Sequence, residues 1–276
     1  MPKRLLLAVA FLFAAGCGLA GYSYSEARRD PVVRTARVAL PGWPAGAAPV
    51  RVVLLSDLHI GTAAMDAARL ERIVGQVNAL GPDLVVIAGD FIYGHAANSA
   101  ARIGAPMVAP LSRLRAPLGV IAALGNHDHW TGGAAVRGLL ERAGVTVIEN
   151  GATERGPLAI GVVGDDFSRH ADLAATLRAM AKLPGARIVL THSPDIAPRL
   201  PADVALLLAG HTHCGQVVLP VYGPVSEVSR FGARYRCGLR REPGRTVVTT
   251  AGLGTSGGPF RLGAPPDLWL LTLGGE

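Results

Sequence analysis

Asp57 and His59 stand two positions apart, directly after the unbroken apolar run Val52–Leu55. Side chains two apart on an extended chain share a face, so a carboxylate and an imidazole there can converge on one point. An oxygen and a nitrogen donor at the end of a buried strand suit a divalent transition metal. The same pattern returns down the chain. Gly89-Asp90, Gly125-Asn126-His127-Asp128, Thr191-His192 and Gly210-His211-Thr212-His213 each close a short apolar run. One such cluster alone reads as a turn or a hydrogen-bonded structural histidine. Five in sequence are not explained as turns, because so many polar groups are costly to desolvate without a cation among them.

In this order and context the clusters resemble the calcineurin-like metallophosphoesterase family, over about Arg51 to Ser256. The resemblance implies an α/β fold, a four-layer α-β-β-α sandwich of two mixed sheets flanked by helices, with a dinuclear metal site at strand ends. Carried over residue by residue, Asp57, His59 and His213 would hold one ion, Asn126, His192 and His211 the other, and Asp90 would bridge them. Two divalent ions, Mn²⁺ first with Zn²⁺, Fe²⁺ or Mg²⁺ as alternatives, would clamp phosphate oxygens and activate a bridging water. His127 has no place among the ligands, and its family counterpart stabilises the transition state or protonates the leaving oxygen.

The chain departs from the protein-phosphatase branch, which extends Gly-Asp with a further Asp and Arg; here the sequence is Gly89-Asp90-Phe91-Ile92-Tyr93-Gly94. That argues against a protein Ser/Thr phosphatase and leaves the partner of His127 open, with Asp128 a candidate. His95, His129 and His170 match no motif position and read as surface or supporting residues. Gly210–Gln216, Gly252–Gly257, Arg261, Pro265-Pro266 and Ser193-Pro194-Asp195 look like a membrane-associated bacterial branch. That branch includes enzymes that cleave the pyrophosphate of UDP-2,3-diacylglucosamine. The glycine-rich run also reads as a plain loop pressed close to a ligand.

The elements that must position these residues follow from hydrophobic periodicity. Val32 to Leu40 partly alternates and reads as an edge strand. Buried strands are expected at Val52–Leu55, Leu84–Ala88 and Val120–Leu124, with helices over Met65–Leu80, Ala97–Arg115 (broken near Pro106 and Pro110) and Gly133–Ala143. Strand, polar loop and helix thus repeat three times, as in a parallel sheet whose ligands lie beyond the strands' carboxyl ends. The second half reads as β-rich, with strands at Val145–Ile148, Leu158–Val163, Ile188–Leu190, Val204–Ala209, Val217–Leu219, Thr246–Thr250 and Leu268–Leu273 and one helix over Leu173–Leu183.

Of the 276 residues half are hydrophobic and 17% charged, which provides a sizeable core and argues against disorder. Lys3 and Arg4 precede an apolar run from Leu5 to Ala20, which reads as a signal anchor or signal peptide over residues 1–24, ahead of a metallophosphoesterase domain over 25–276. Ala14-Ala15-Gly16-Cys17 resembles a lipoprotein cleavage site. An anchored domain outside the cytoplasm is expected, with the cytoplasmic face as the alternative. Cys214 and Cys237 read as two free buried thiols, with a disulfide the alternative in an exported protein.

The net charge of +7 is modest. It fits an anionic substrate or membrane headgroups and gives no reason to expect extended nucleic-acid binding. Arg230, Phe231, Arg234, Tyr235, Arg236, Arg240 and Arg241 form a basic, aromatic stretch that reads equally as an anion-binding surface or a solvated hairpin. The leading expectation is a monomeric phosphodiesterase or pyrophosphatase acting on phosphate esters, lipid-linked ones among them. A nucleotide phosphodiesterase or nuclease of the same fold is the alternative within enzymes. A silent metal-binding scaffold is the alternative outside them.

Overall fold

In a computed structural model, described over residues 3–275, Val50–Leu55 becomes a central strand with only Arg51 exposed. The elements in chain order are α1 (Lys3–Arg28), β1 (Val32–Ala39), β2 (Val50–Leu55), α2 (Ala67–Ala79), β3 (Leu84–Ala88), α3 (Ala100–Gly104), α4 (Val108–Leu111), β4 (Val120–Ala123) and α5 (Asn126–Arg142). Then come β5 (Thr146–Val147), β6 (Gly151–Arg155), β7 (Leu158–Val162), α6 (Leu173–Met180), β8 (Ala186–Leu190) and β9 (Leu206–Ala209). The chain closes with β10 (Val218–Leu219), β11 (Gly223–Pro224), β12 (Gly238–Glu242), β13 (Arg245–Thr249) and β14 (Asp267–Gly274).

Two six-stranded mixed sheets result, ordered β1-β14-β2-β3-β4-β5 and β12-β13-β9-β8-β7-β6. β2 to β5 run parallel, as the strand-loop-helix repeat requires, and β14 joins β2 antiparallel. The layers follow from side-chain alternation along each strand. Val53, Leu55, Val85 and Ile87 face α2 and α5. Val52, Leu54, Leu84 and Val86 turn the other way and meet Ile160, Ile188, Leu206 and Leu208 of the second sheet. Ala159, Val189 and Leu207 face α6 and the turn Pro194–Arg199. Helices, sheet, sheet and helix make the expected α-β-β-α sandwich.

Several elements differ from expectation for local reasons. α5 begins at Asn126 rather than Gly133, because the Asp128 carboxylate accepts the Gly125 N–H (2.9 Å) and closes a first turn. The helix then kinks at Gly132, which has φ 128°. β6 and β12 are antiparallel edge strands whose polar sequences hide any strand pattern. Four of the five arginines in the basic stretch around β12 are held in ion pairs, and Arg241 is not. Arg234 and Arg240 bind Glu242, Arg236 binds Glu227, and Arg230 binds Asp166 and Asp195.

α1 is long enough to cross a membrane, at 26 residues and about 39 Å. Its last turns belong to the globular packing. Ser23 and Ala27 are buried, and the Arg261 backbone N–H donates to the Ser23 carbonyl at 2.9 Å. The fully buried Arg69 guanidinium donates to the carbonyls of Arg28, Arg29, Ala64 and Leu253 at 2.9–3.1 Å. Burial lowers its pKa to about 10, so the guanidinium stays charged at neutral pH. Arg69→Met would strip four carbonyls of their donor, those of Ala64 and Leu253 in buried bonds, at about 1–3 kcal/mol for each buried group left unpaired. Thermal unfolding should show a Tm lower by about 5 °C or more, and an unchanged Tm would refute this role.

Candidate metal centre

The clusters gather at the carboxyl ends of β2, β3, β4, β8 and β9, by a backbone route the sequence does not announce. Asp57 and His59 lie beyond the end of β2 and are not extended. Their φ angles are 51° and 48°, and Asp90 (55°), His211 (72°) and His213 (50°) share the left-handed region. Each such residue costs on the order of 1 kcal/mol or more. The loops brace one another against this strain. Asp57 and His59 donate their N–H groups to Gly89 O and Asp90 O (2.9 and 3.0 Å), and Gly254 N–H donates to Asp57 O (2.7 Å). The glycine-rich run is therefore packed on the ligand loop itself; a Cβ on Gly252 would lie 2.5 Å from the Asp57 Cβ.

Three buried donor sets result: Asp57, His59 and His213; His59, Asp90 and His127; and Asp90, His192 and His211. Within each set the candidate ligand atoms lie within 4.8 Å of one another. Asp90 Oδ2 is 3.5 Å from His59 Nε2 and 3.2 Å from His192 Nε2, so one carboxylate reaches both halves. Asn126 Oδ1 lies 3.1 Å from His192 Nε2. Ring nitrogens face each other at 3.1 Å in two pairs, His59 with His213 and His192 with His211. Asp57 Oδ1 has no hydrogen-bond partner among the described residues. Converging lone pairs and an unpaired buried carboxylate oxygen fit divalent cations with N/O ligands.

The sequence profile of the calcineurin-like phosphoesterases matches residues 50–215. This chain belongs to that family. It is 30% identical to the uncharacterized metallophosphoesterase YkuE of Bacillus subtilis, covering 99% of this chain and 98% of that one. It is 31% identical to a transmembrane protein with metallophosphoesterase domain from Danio rerio, over 92% of this chain but 60% of that longer protein. The fold is also similar to the crystal structure of TT1561 of Thermus thermophilus (TM-score 0.51, 16% identity), which covers 75% of this chain and 91% of that one. Calcineurin-like phosphoesterases bind pairs of divalent ions, and the donor sets here are placed to do so.

In this calcineurin-like phosphoesterase the charges of the centre are already sorted. Burial works to raise Asp57 and Asp90. The imidazoles of His213 and His59 around Asp57, and of His192 and His59 around Asp90, outweigh it and hold both carboxyls well below the usual range. Burial lowers His211 to about 4, lowers His213 well below its ordinary value, and lowers His127. The Arg261 guanidinium, 3.3 Å from His213 Nδ1, adds to that effect on His213. His192 alone is raised: burial opposes protonation, and Asp90 overrides it. Its Nδ1 sits 2.6 Å from the Ala88 carbonyl, so Nδ1–H donates outward and Nε2 faces the centre.

The partner of His127 is not Asp128. His127 Nδ1 lies 2.8 Å from the Gly94 carbonyl, which aims Nε2 inward. Asp128 instead ties the loops, accepting the N–H groups of Asp90, Phe91, Ile92 and Gly125 at 2.9–3.2 Å. Burial and Asp90 push its carboxyl up to about 7. His95 stands closer to the centre than expected, its ring 4.8 Å from His127 and stacked on Trp130 at 4.9 Å. His129 stacks on His170 at 3.6 Å, with His129 Nε2 3.1 Å from Glu149. Sequence reasoning missed Gly94, Trp130 and Phe167, whose ring lies 4.6 Å from His211. No motif spacing marks them.

Cys214 and Cys237 form a disulfide rather than remaining free thiols. Their 23-residue separation hid the contact, which exists because the Thr212 hydroxyl docks on Arg236 O at 2.6 Å and lays the two segments side by side. The bond fixes the residue next to His213.

Cations and protons compete for these imidazoles; His192, whose pKa is raised, should release a proton on binding, whereas His211, lowered to about 4, and His213 compete only in acid. Protein loaded at pH 8 should keep its ions on dialysis at pH 6 and lose them as pH falls to about 4 and below. Asp90→Ala should lose at least one ion at either pH. Elemental analysis finding two ions on that variant would contradict a bridging position.

Proposed function

We propose that this protein hydrolyses phosphodiester or pyrophosphate bonds in lipid-linked substrates at a membrane surface. The observation that carries the reading is Asp90, one carboxylate in reach of both donor sets, with His127 beside it. Asp57, His59 and His213 would hold one ion, Asn126, His192 and His211 the other, and Asp90 both. Two divalent ions, Mn²⁺ first among the candidates, would polarise the phosphoryl oxygens and supply a nucleophilic water at neutral pH.

The chain's own groups do the remaining work. Burial keeps His211 and His213 neutral, so with two divalent ions bound the centre would stay cationic enough to attract an anionic phosphate. His127 is kept neutral by burial, and an anionic phosphate beside it raises its pKa. Its Nε2 then carries a proton that it donates to the leaving oxygen, while the Gly94 carbonyl holds the ring in place. α1 tethers the centre, raising its effective concentration over membrane substrates. The Cys214–Cys237 disulfide supports a catalytic domain outside the cytoplasm, where such bonds persist.

Metal-loaded protein tested on phosphomonoesters, phosphodiesters, nucleotides and nucleotide-sugar lipids should prefer the lipid-linked diesters and stop on chelation. A preference for soluble nucleotides over every lipid would favour a nucleotide phosphodiesterase instead. His127→Ala should keep its ions while kcat falls by roughly 10²-fold or more; loss of metal with activity would make it a ligand. A chain beginning at Gly21 keeps the docked turns. It should turn over a small chromogenic diester at the full-length rate yet lose activity on lipid substrate in vesicles. Equal vesicle activity would exclude tethering as the role of α1.

A further inference from the structure

Two cavities open beside the donor sets. One, about 270 Å³, lies beside His213, between the β10–β11 hairpin and the loop at Gly257. Its lining sets the aliphatic side chains of Val217, Val225 and Val228 among the polar Thr212, Gln216, Ser226 and Ser256, with Gly215 also bordering it. Gly215 has φ 83°, and a Cβ there would come 2.7 Å from Pro224, so the position has no room for a side chain. The other, about 430 Å³, lies beside His211 and is lined by Phe167, Arg169, Ser193, Asp195 and Arg230. Val228 borders both.

The charged residues lining the second cavity, Asp166, Asp195, Arg169 and Arg230, balance in number, and Arg199, paired with Asp166 from outside the lining, leaves one cation over. Asp166 pairs with Arg199 and Arg230, and Asp195 with Arg230. Arg169 has no ion-pair partner among the described residues and lines the cavity. A surplus guanidinium beside the exposed face of Phe167 suits an anionic group carried on a ring.

The first cavity offers no charge and continues outward into apolar surface: Val225, Tyr222 and Phe260 are exposed, and Val221 stands fully in solvent. Its mouth also adjoins the anchor helix. Val217 bridges to Leu262, and the neighbouring Arg261 N–H binds Ser23 of α1. A hydrocarbon chain can bury against the three valines there.

We propose that the centre takes an amphiphilic phosphodiester or pyrophosphate, its hydrocarbon chain in the slot beside His213 and its anionic head beside His211. This rests on the hydrolytic reading above and adds to it where each end of the substrate lies. Water adds to phosphorus, the ester P–O bond breaks, and the leaving oxygen takes the proton. The hydrocarbon chain takes no part in that step and contributes only burial.

The test is a homologous series read on the full, Mn²⁺-loaded chain in detergent. For p-nitrophenyl alkyl phosphodiesters from methyl to hexyl, kcat/KM should climb by about three- to four-fold per methylene, roughly 200- to 1,000-fold across the series. In Val225→Asp, with metal content checked, the hexyl-to-methyl ratio should fall to near 1, and Val225→Thr should lie between. Arg169→Gln should raise KM more than ten-fold for diesters bearing a second phosphate, relative to those without one. A flat wild-type series, or a slope that persists in Val225→Asp, overturns the slot. Calorimetry with alkyl phosphonates of the same lengths separates the two readings. Length-dependent binding without turnover of any ester keeps the slot and sinks the hydrolytic function, whereas turnover with flat binding does the reverse.

Discussion

Two ionised carboxylates and four imidazoles are buried with their lone pairs converging, and the rest of the fold is arranged around that electrostatic constraint. His59 and His213, and His192 and His211, meet nitrogen to nitrogen at 3.1 Å, and Asp57 Oδ1 has no donor at all among the described residues. Such an arrangement is unfavourable in a dry interior unless cations occupy it. Local pKa values already anticipate cations, since burial keeps His211 and His213 neutral while Asp57 and Asp90 stay charged.

Left-handed backbone is the means of convergence. Asp57, His59, Asp90, His211 and His213 occupy conformations that favour glycine, and the neighbouring glycines are small because these loops need the room. Gly125 gives the Asp90 carboxylate its space, Gly252 does the same for Asp57, and Asp128 fastens the β3 and β4 loops through four backbone N–H groups. Strain at the ligands is thus held by hydrogen bonds one layer out.

Arg69 and Arg261 extend that support to the N-terminal helix. Arg69 joins the end of α1 to Leu253, and Arg261 joins Ser23 to the Gly252–Gly254 loop that presses on Asp57. Two buried guanidiniums, each serving several carbonyls, therefore make the helix end and the ligand loop one packed unit.

The layer order and the donor list are legible in the chain before it folds. Unbroken apolar runs such as Leu84–Ala88 can only be buried strands, and alternation sets which face meets which layer. Polar clusters after such runs have one place to go, beyond the strands' carboxyl ends. Other features wait on folding, because they pair residues far apart in the chain. The Gly94 carbonyl became the partner of His127 through packing of the β3 loop on α5, and Asp128 was taken up by backbone donors. Cys214 met Cys237 because Thr212 docked on Arg236. The arginines of the β12 hairpin, which read equally as an anion-binding surface or a solvated hairpin, were mostly taken into ion pairs with Glu227, Glu242 and Asp195 once folding brought those carboxylates near. Residue type is local and sequence records it; which charges remain unpaired is a sum over neighbours that only the fold supplies.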